Sequence, residues 1–195
     1  MMRFMLAAAL VGLAPAVANA TCQVVTGSVF LLPDVDSNGS PACTVSTMID
    51  DAPFAAGQCF SVNLSLFGLP AGRGFAGVTH EVAVGVDENA TVSPLTLLEP
   101  GETGDTLPGS APTVRHQVLT ARSAIGIGFG PFRTVVYSTD VIVVHPQDAA
   151  LPIVTEQIVI SGTDGRGLFK NATGHLTVLG NSIGQSAPVV GQLCF

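Results

Sequence analysis

Positive charge is scarce in this chain, and helical periodicity is missing after its first twenty residues. Lys and Arg together number seven against fourteen Asp and Glu, and charged residues of both signs make up only 11% of the 195 residues. Nucleic-acid binding requires a basic patch that neutralises phosphates. Because the few cations are scattered along the sequence, we expect no nucleic-acid partner. The same shortage disfavours an anionic membrane surface as a partner. The plentiful Gly, Val, Thr and Ser suit strands and tight turns and exclude a helical bundle.

Signatures of several common enzyme classes are also absent. The chain has no Gly-x-Ser-x-Gly elbow for a serine nucleophile and no His-Glu-x-x-His zinc motif. The glycines of residues 126–130 have the wrong spacing for a dinucleotide loop, and no helix follows them. No two of the four cysteines have the short spacing of a zinc knuckle. We therefore expect no cofactor and no metal centre.

The first twenty residues predict a secretory signal peptide. Arg3 precedes an apolar run over residues 4–17, and Ala18-Asn19-Ala20 matches a small-residue cleavage site. The run is too short and too rich in alanine to span a membrane comfortably. We expect cleavage before Thr21, a single β domain over residues 21–195, a secreted or periplasmic location, and no membrane insertion after cleavage.

Alternating apolar and polar residues predict an all-β domain of eight or so strands. Residues 34–51 are polar and predict a long loop, and residues 68–77 predict a Gly- and Pro-containing turn. The Val and Ile run in residues 132–145 suggests a strand buried on both faces. The strand spacing fits an antiparallel barrel or a β-sandwich. Strands are predicted at 22–32, 58–67, 78–86, 91–98, 113–123, 132–145, 154–160, 175–179 and 187–195.

A Gly-rich corner in residues 158–179 joins the last predicted hairpin. Its motif is a glycine cluster, then Phe, two residues, Ala, one residue and Gly. The positions are Gly165, Gly167, Phe169, Ala172 and Gly174. This corner resembles the closing hairpin of the allene oxide cyclase and dirigent superfamily, and is most similar to small secreted bacterial proteins described as allene oxide cyclase barrel-like.

The resemblance covers residues 120–195, with weaker matches at the TARS of residues 120–123 and the GQLC of residues 191–194. Asp164 and Arg166 interrupt the usual Gly-Gly-Thr-Gly run. The resemblance implies a single antiparallel eight-stranded up-and-down β-barrel, with the β-sandwich as the alternative. It also implies a cyclase or stereochemistry-directing activity and allows a homo-oligomer, and it carries over no catalytic residue.

Four cysteines in an exported chain predict two disulfides. Three connectivities are open, and we favour Cys22–Cys194 with Cys43–Cys59. The first bond would join the chain ends, which lie side by side if the first and last strands of a closed barrel pair. The second would close a short loop, which the loop-entropy argument rewards.

Dirigent and cyclase barrels carry a few polar or charged groups in an apolar lumen, so charged residues on the predicted strands are candidates for this one. These candidates are Glu81, Arg115, Arg122, Asp140 and Glu156. A lone carboxyl group in such a lumen would have a raised pKa and could act as an acid. The competing interpretation places each of them on the wet outer face of its strand.

One polar stretch matches the first half of a calcium-binding loop, with oxygen ligands from Asp34, Asp36 and Asn38 followed by Gly39. The loop lacks the acidic residue at its twelfth position, which here is Val45, and lacks the flanking helices. An Asx turn is the simpler interpretation.

Three functional classes remain open: a barrel that binds a small hydrophobic molecule, a cyclase- or dirigent-like isomerase, and a structural protein with a packed lumen. The many apolar side chains favour an exported barrel of unassigned role, non-catalytic or binding a small hydrophobic molecule. A charged pair lining the lumen would favour the isomerase, and a deep pocket with two or more convergent charged residues would argue against a non-catalytic or weakly ligand-binding barrel.

Overall fold

The computed structural model describes residues 21–55, 57–86, 96–98, 114–145, 153–180 and 183–195. The predicted signal peptide lies outside the described residues, as do most of the predicted strand at 91–98 and the loop at 146–152. Short 3₁₀ helices span Thr44–Thr47 and Gly130–Phe132. The strands of the described residues are β1 Cys22–Pro33, β2 Cys59–Leu66, β3 Leu69–Val86, β4 Thr96–Leu98, β5 Val114–Ile127, β6 Thr134–His145, β7 Ile153–Thr163, β8 Thr173–Leu179 and β9 Ser186–Cys194.

Eight of these strands form a closed ring. Each pairs antiparallel with its neighbours in chain order, β3 pairs directly with β5, and the short β4 pairs only with β3. Pairing of β1 with β9, from Cys22 opposite Cys194 to Phe30 opposite Ser186, closes the ring. The predicted eight-stranded up-and-down barrel is confirmed, and the β-sandwich alternative is wrong because no second sheet exists among the described residues.

Alternation along each strand decides which side chains fill the barrel. Val29, Val62, Leu64, Leu176 and Val189 come from β1, β2, β8 and β9 and belong to one buried apolar cluster. The long β6 follows the same rule, because Val136 is buried whereas Val141 is exposed. The prediction that this strand is buried on both faces is therefore wrong, since on its outer side Val141 is exposed and Val135 and Tyr137 are only half-buried.

The segment between β1 and β2 packs against the outer wall of the barrel. Val45 lies in its 3₁₀ helix and Ile49 follows that helix. Both are buried in a second cluster, together with Cys59 and Ala124. A Cβ on Gly77 would lie 2.6 Å from a ring carbon of Phe54, so glycine allows this close approach. The expected polar loop thus contains a small core of its own, which alternation patterns could not reveal.

The turn between β2 and β3 is only two residues long. Phe67 and Gly68 have φ values of 53° and 76°, and Leu66 pairs with Leu69 across them. Positive φ at both central residues is typical of the tight turns that match strand twist. Residues 69–77, predicted as a turn, are strand because β2 pairs along this stretch and β5 pairs with residues 72–77 on the other side.

Two disulfides join Cys22 to Cys194 and Cys43 to Cys59, the favoured connectivity. The first links the strands that close the ring, and the second holds the segment that covers the outer wall. Both fit an oxidising compartment. No helix among the described residues is long and apolar enough to cross a membrane.

We expect the ring-closing disulfide to stabilise the fold more than the short-loop one. The bonds span 172 and 16 residues, and loop entropy assigns them about 5 and about 3 kcal/mol respectively. Urea unfolding of the Cys22→Ser/Cys194→Ser and Cys43→Ser/Cys59→Ser variants measures both losses. A larger loss for the second pair would contradict the entropic explanation.

Candidate ligand-binding site in the barrel

Two carboxyl groups lie inside the barrel on neighbouring strands. Asp140 on β6 is opposite Ile158, and Glu156 on β7 is opposite Ile142, so the two acids are diagonal neighbours on one face. Asp140 is 1% exposed and Glu156 is 8% exposed. We call them the carboxyl pair. Burying charged groups is costly, so the lumen is not simply an apolar core.

Two serines extend the carboxyl pair across the barrel wall. Ser138 donates a hydrogen bond from Oγ to Oδ1 of Asp140 at 2.6 Å. The Oγ atoms of Ser123 and Ser138 are 2.5 Å apart, and the two residues are directly opposite on β5 and β6. Because Ser138 has a single hydroxyl proton and gives it to Asp140, Ser123 is the donor in the bond between the serines.

Burial raises the pKa of Asp140 well above its ordinary value, and the negative charge of Glu156 raises this pKa further. The hydrogen bond from Ser138 acts in the opposite direction and does not offset the two larger effects. Asp140 therefore holds its proton at pH values where an exposed aspartate has lost it. A protonated carboxyl group in an apolar lumen can donate a hydrogen bond or a proton to an oxygen atom of a ligand.

The carboxyl pair faces a cavity of about 90 Å³, the lumen cavity. The two serines also line it, and most of its remaining wall is aliphatic. This volume has room for a small chemical group rather than a whole drug-sized molecule.

A larger cavity of about 400 Å³, the mouth cavity, lies at one end of the barrel. This mouth end carries the β2–β3 turn, the β5–β6 connection and the β7–β8 corner. Ile127, Val136, Ile160 and Leu193 line both cavities, so the two adjoin. A molecule held in the mouth can therefore extend one group toward the carboxyl pair.

Large apolar side chains surround the mouth cavity and remain exposed. Phe129 is 80% exposed, Leu168 is 68% and Phe67 is 60%. We call the set the apolar rim. Its members are Phe67, Leu69, Phe129, Phe132, Leu168 and Phe195.

The β7–β8 corner is fixed against the β5–β6 connection. Thr134 donates from Oγ1 to the carbonyl oxygen of Arg166 at 2.7 Å and accepts from the backbone N–H of Phe169 at 3.0 Å. Gly167 has a φ of 69°, and a Cβ there would lie 2.5 Å from the carbonyl oxygen of Arg133. The glycine corner noticed in the sequence thus lets two connections of the mouth end meet.

The predicted lumen charges have different positions. Asp140 and Glu156 line the lumen together. Arg122 lies between the lumen-lining Ala121 and Ser123, and so its half-buried side chain leaves on the outer face. The side chains of Glu81 and Arg115 lie outside the part of the chain that the structure describes.

The calcium-like residues serve the backbone instead. Oδ1 of Asp36 accepts from the N–H groups of Asn38 and Ser40 at 2.8 and 2.9 Å, and these bonds, that of Ser40 first, lower the pKa of Asp36. Oδ2 of Asp34 accepts from the N–H of Thr44. Asp36 thus forms an Asx turn, and Asp34 accepts a backbone hydrogen bond from the residue that begins the 3₁₀ helix. Among the described residues, no cluster of three His, Cys, Asp or Glu could hold a metal ion.

Ser123 and Ser138 are lumen residues that the sequence alone did not reveal. Their signal was faint: Ser138 is two positions from Asp140 on one strand, and Ser123 interrupts apolar inward positions at 121 and 125. Only the register between β5 and β6 brings the two serines opposite each other.

The described chain is thus a closed antiparallel barrel with an apolar mouth and a buried carboxyl pair. A scan against family models, a search of curated proteins and a search of solved structures each found no match for the chain. The similarity to allene oxide cyclase barrel-like proteins stays a prediction.

We expect an Asp140→Asn variant to be more stable than the natural protein at neutral pH. Folding raises the pKa of Asp140 above its ordinary value of 3.8. The contribution of this group to the free energy of unfolding is therefore complete below pH 3.8 and is lost as the pH rises through the folded-state pKa. The variant lacks this loss. Urea unfolding from pH 4 to pH 8 checks it, and parallel curves for both proteins would contradict the raised pKa.

Proposed function

We propose that this protein is an exported barrel that binds a small, mostly apolar molecule through its mouth, with one oxygen-bearing group of the ligand directed at Asp140. The mouth cavity of about 400 Å³ carries the proposal, because it is lined almost entirely by apolar side chains. Ligand sites are typically concave, apolar and supplied with a few polar groups that fix orientation.

The serines and the carboxyl pair supply those polar groups. Asp140 in its protonated form donates to a ligand carbonyl, ether or hydroxyl oxygen, an interaction that strengthens in a dry lumen. A ligand anion would instead face the negative charge of Glu156, so a neutral oxygen function fits best.

Two further observations support export and family. The disulfides fit the oxidising conditions of the periplasm or the exterior, in line with the signal-like first twenty residues. The glycine corner supports membership of the allene oxide cyclase barrel-like group, and the closed barrel is the fold that such membership requires.

A substitution that fills the mouth cavity tests ligand binding. Ala71 is half-buried and lines the mouth cavity, so an Ala71→Phe change places a ring where the ligand would lie. We expect affinity for a fluorescent apolar probe to fall about tenfold or more. Probe titration measures this, and native mass spectrometry of protein purified from its own host identifies a retained molecule.

Ser161→Phe is the matched control, because Ser161 is exposed and lines neither cavity. It should bind the probe as the natural protein does. Equal affinities for the Ala71→Phe variant and the natural protein, with no retained molecule, would argue against ligand binding.

A cyclase- or dirigent-like isomerase is the second candidate, and the raised pKa of Asp140 favours it. A barrel that holds a reactive intermediate in one shape needs little chemistry beyond positioning and one acid. Asp140 would protonate or hydrogen-bond the developing oxygen anion, and the apolar walls would exclude water.

Product stereochemistry tests this second candidate. A precursor that cyclises or couples spontaneously gives a racemic product in buffer, and the natural protein should give an enantiomeric excess measured by chiral chromatography. We expect Ala71→Phe to abolish the excess and Asp140→Asn to reduce it, while Ser161→Phe leaves it unchanged. A racemic product with the natural protein would leave the barrel a binding protein.

A further inference from the structure

We propose that the mouth end docks on an anionic lipid surface, with the apolar rim in the lipid interface and the neighbouring cations against the headgroups. This interaction surface goes beyond ligand binding and does not depend on it. Three features of the mouth end support docking: the exposed apolar rim, the distribution of charge, and the rigidity of the connections that carry the rim.

The apolar rim exposes more large apolar surface than a barrel end needs for folding. Phe129 and Phe132 contact each other edge to face at 6.5 Å and still remain largely open to solvent. Clustered exposed apolar residues mark interaction sites, whereas scattered ones carry no such meaning.

The backbone conformation of Phe67 also indicates that the rim is an interaction site. A bulky residue rarely adopts a left-handed conformation, and Asn or Gly are the usual residues at such a turn position. Phe67 nevertheless has a φ of 53° and presents most of its ring to solvent. The turn accepts an unfavourable backbone conformation for a side chain that gains little packing in the monomer.

The cations are scattered along the sequence, which by itself disfavours an anionic surface as a partner, but the fold gathers most of them at this same end. Six Lys and Arg follow Arg3 in the sequence, and four of them lie in the mouth-end connections or near them on β3. All four are exposed. We call them the rim cations: Arg73, Arg133, Arg166 and Lys170.

Negative charge is nearly absent from the mouth-end connections. Asp164 is the one acidic residue in the three of them, and its Oδ1 accepts from the backbone N–H of Arg166. Four other described acids, at positions 34, 36, 50 and 51, belong to the segment that leaves the opposite end of β1. A chain with a net charge of −7 therefore presents a positive mouth, which suits an anionic surface.

A second copy of the chain fits this end less well than lipid does. In a two-fold symmetric dimer each patch meets its own copy. Mouth-to-mouth contact would then set four rim cations against four others, with Asp164 as the one acidic side chain that the mouth-end connections of each copy bring in opposition. Like-charge contacts across an interface are unfavourable.

The rim is preformed rather than loose. Thr134 holds the β7–β8 corner by its two hydrogen bonds, and the N–H of Leu168 donates to the carbonyl oxygen of Phe132 at 3.3 Å. The ring of Phe169 contacts that of Phe195 at 5.2 Å. Docking therefore loses little conformational entropy at these connections.

Vesicle co-sedimentation of the mature chain tests the proposal. We expect binding to mixed phosphatidylcholine–phosphatidylglycerol vesicles, weaker binding to phosphatidylcholine alone, and loss of the difference at high salt. Phe67→Asn and Phe129→Ser/Phe132→Ser should each lower partitioning about tenfold or more. Phe67→Asn should fold readily because Asn tolerates a positive φ.

The charge variant Arg166→Gln/Lys170→Gln should lose about tenfold on mixed vesicles and change little on neutral ones. Val159→Ser and Arg122→Gln are the matched controls, since they remove an exposed valine and an arginine from the outer wall. Both should bind as the natural protein does. Ala71→Phe should also bind vesicles, which separates docking from ligand binding.

Two results would overturn the proposal. One is equal vesicle binding by the natural protein and the rim variants, since the mouth end would then not be the contact. The other is an absence of binding by the natural protein to the mixed vesicles. A dimer that Phe129→Ser/Phe132→Ser dissociates in sedimentation velocity would then show that the rim meets a second copy.

Discussion

Hydrogen bonding between the first and last strands is the constraint on which the rest of the molecule depends. Once β1 pairs with β9, each of the eight described ring strands is hydrogen-bonded to a neighbour on either side, and each residue of the ring faces either the lumen or the outside. Without closure, Asp140 and Glu156 would lie on one face of an open sheet, where water would solvate them. The raised pKa of Asp140, the adjoining cavities and the rim all follow from the ring.

Inside the ring the chain combines an apolar lining with a small polar group. A fully packed interior would be more stable, because the carboxyl pair must be desolvated and its two acids repel each other when both are ionised. Ser138 compensates for part of that cost by donating to Asp140. Such an arrangement is usual where a protein needs a proton or a hydrogen bond at a dry position, and it weakens the view that the barrel is only structural.

Much of the fold could be predicted because strands alternate and cysteines in exported chains pair. The strands, the last hairpin and both disulfides were accessible in this way, whereas the preference for a barrel over a β-sandwich came from the resemblance of the glycine corner. Residues 69–77 were not accessible, because their Gly and Pro content predicts a turn whereas pairing with neighbouring strands makes them strand.

The candidate site could be predicted only in part. Asp140 and Arg122 looked equivalent in the sequence, and only the phase of each strand separates a lumen carboxyl from an outer-wall arginine.

The uneven distribution of charge along the barrel axis has a consequence for motion before any contact. A molecule that is negative as a whole but positive at one end experiences a torque near a negatively charged body. It would approach such a body already turned, with its aromatic end leading, so that fewer encounters are wasted on unproductive orientations. Arg166 and Lys170 would in this way set the direction of arrival, and Phe129 and Phe132 its duration.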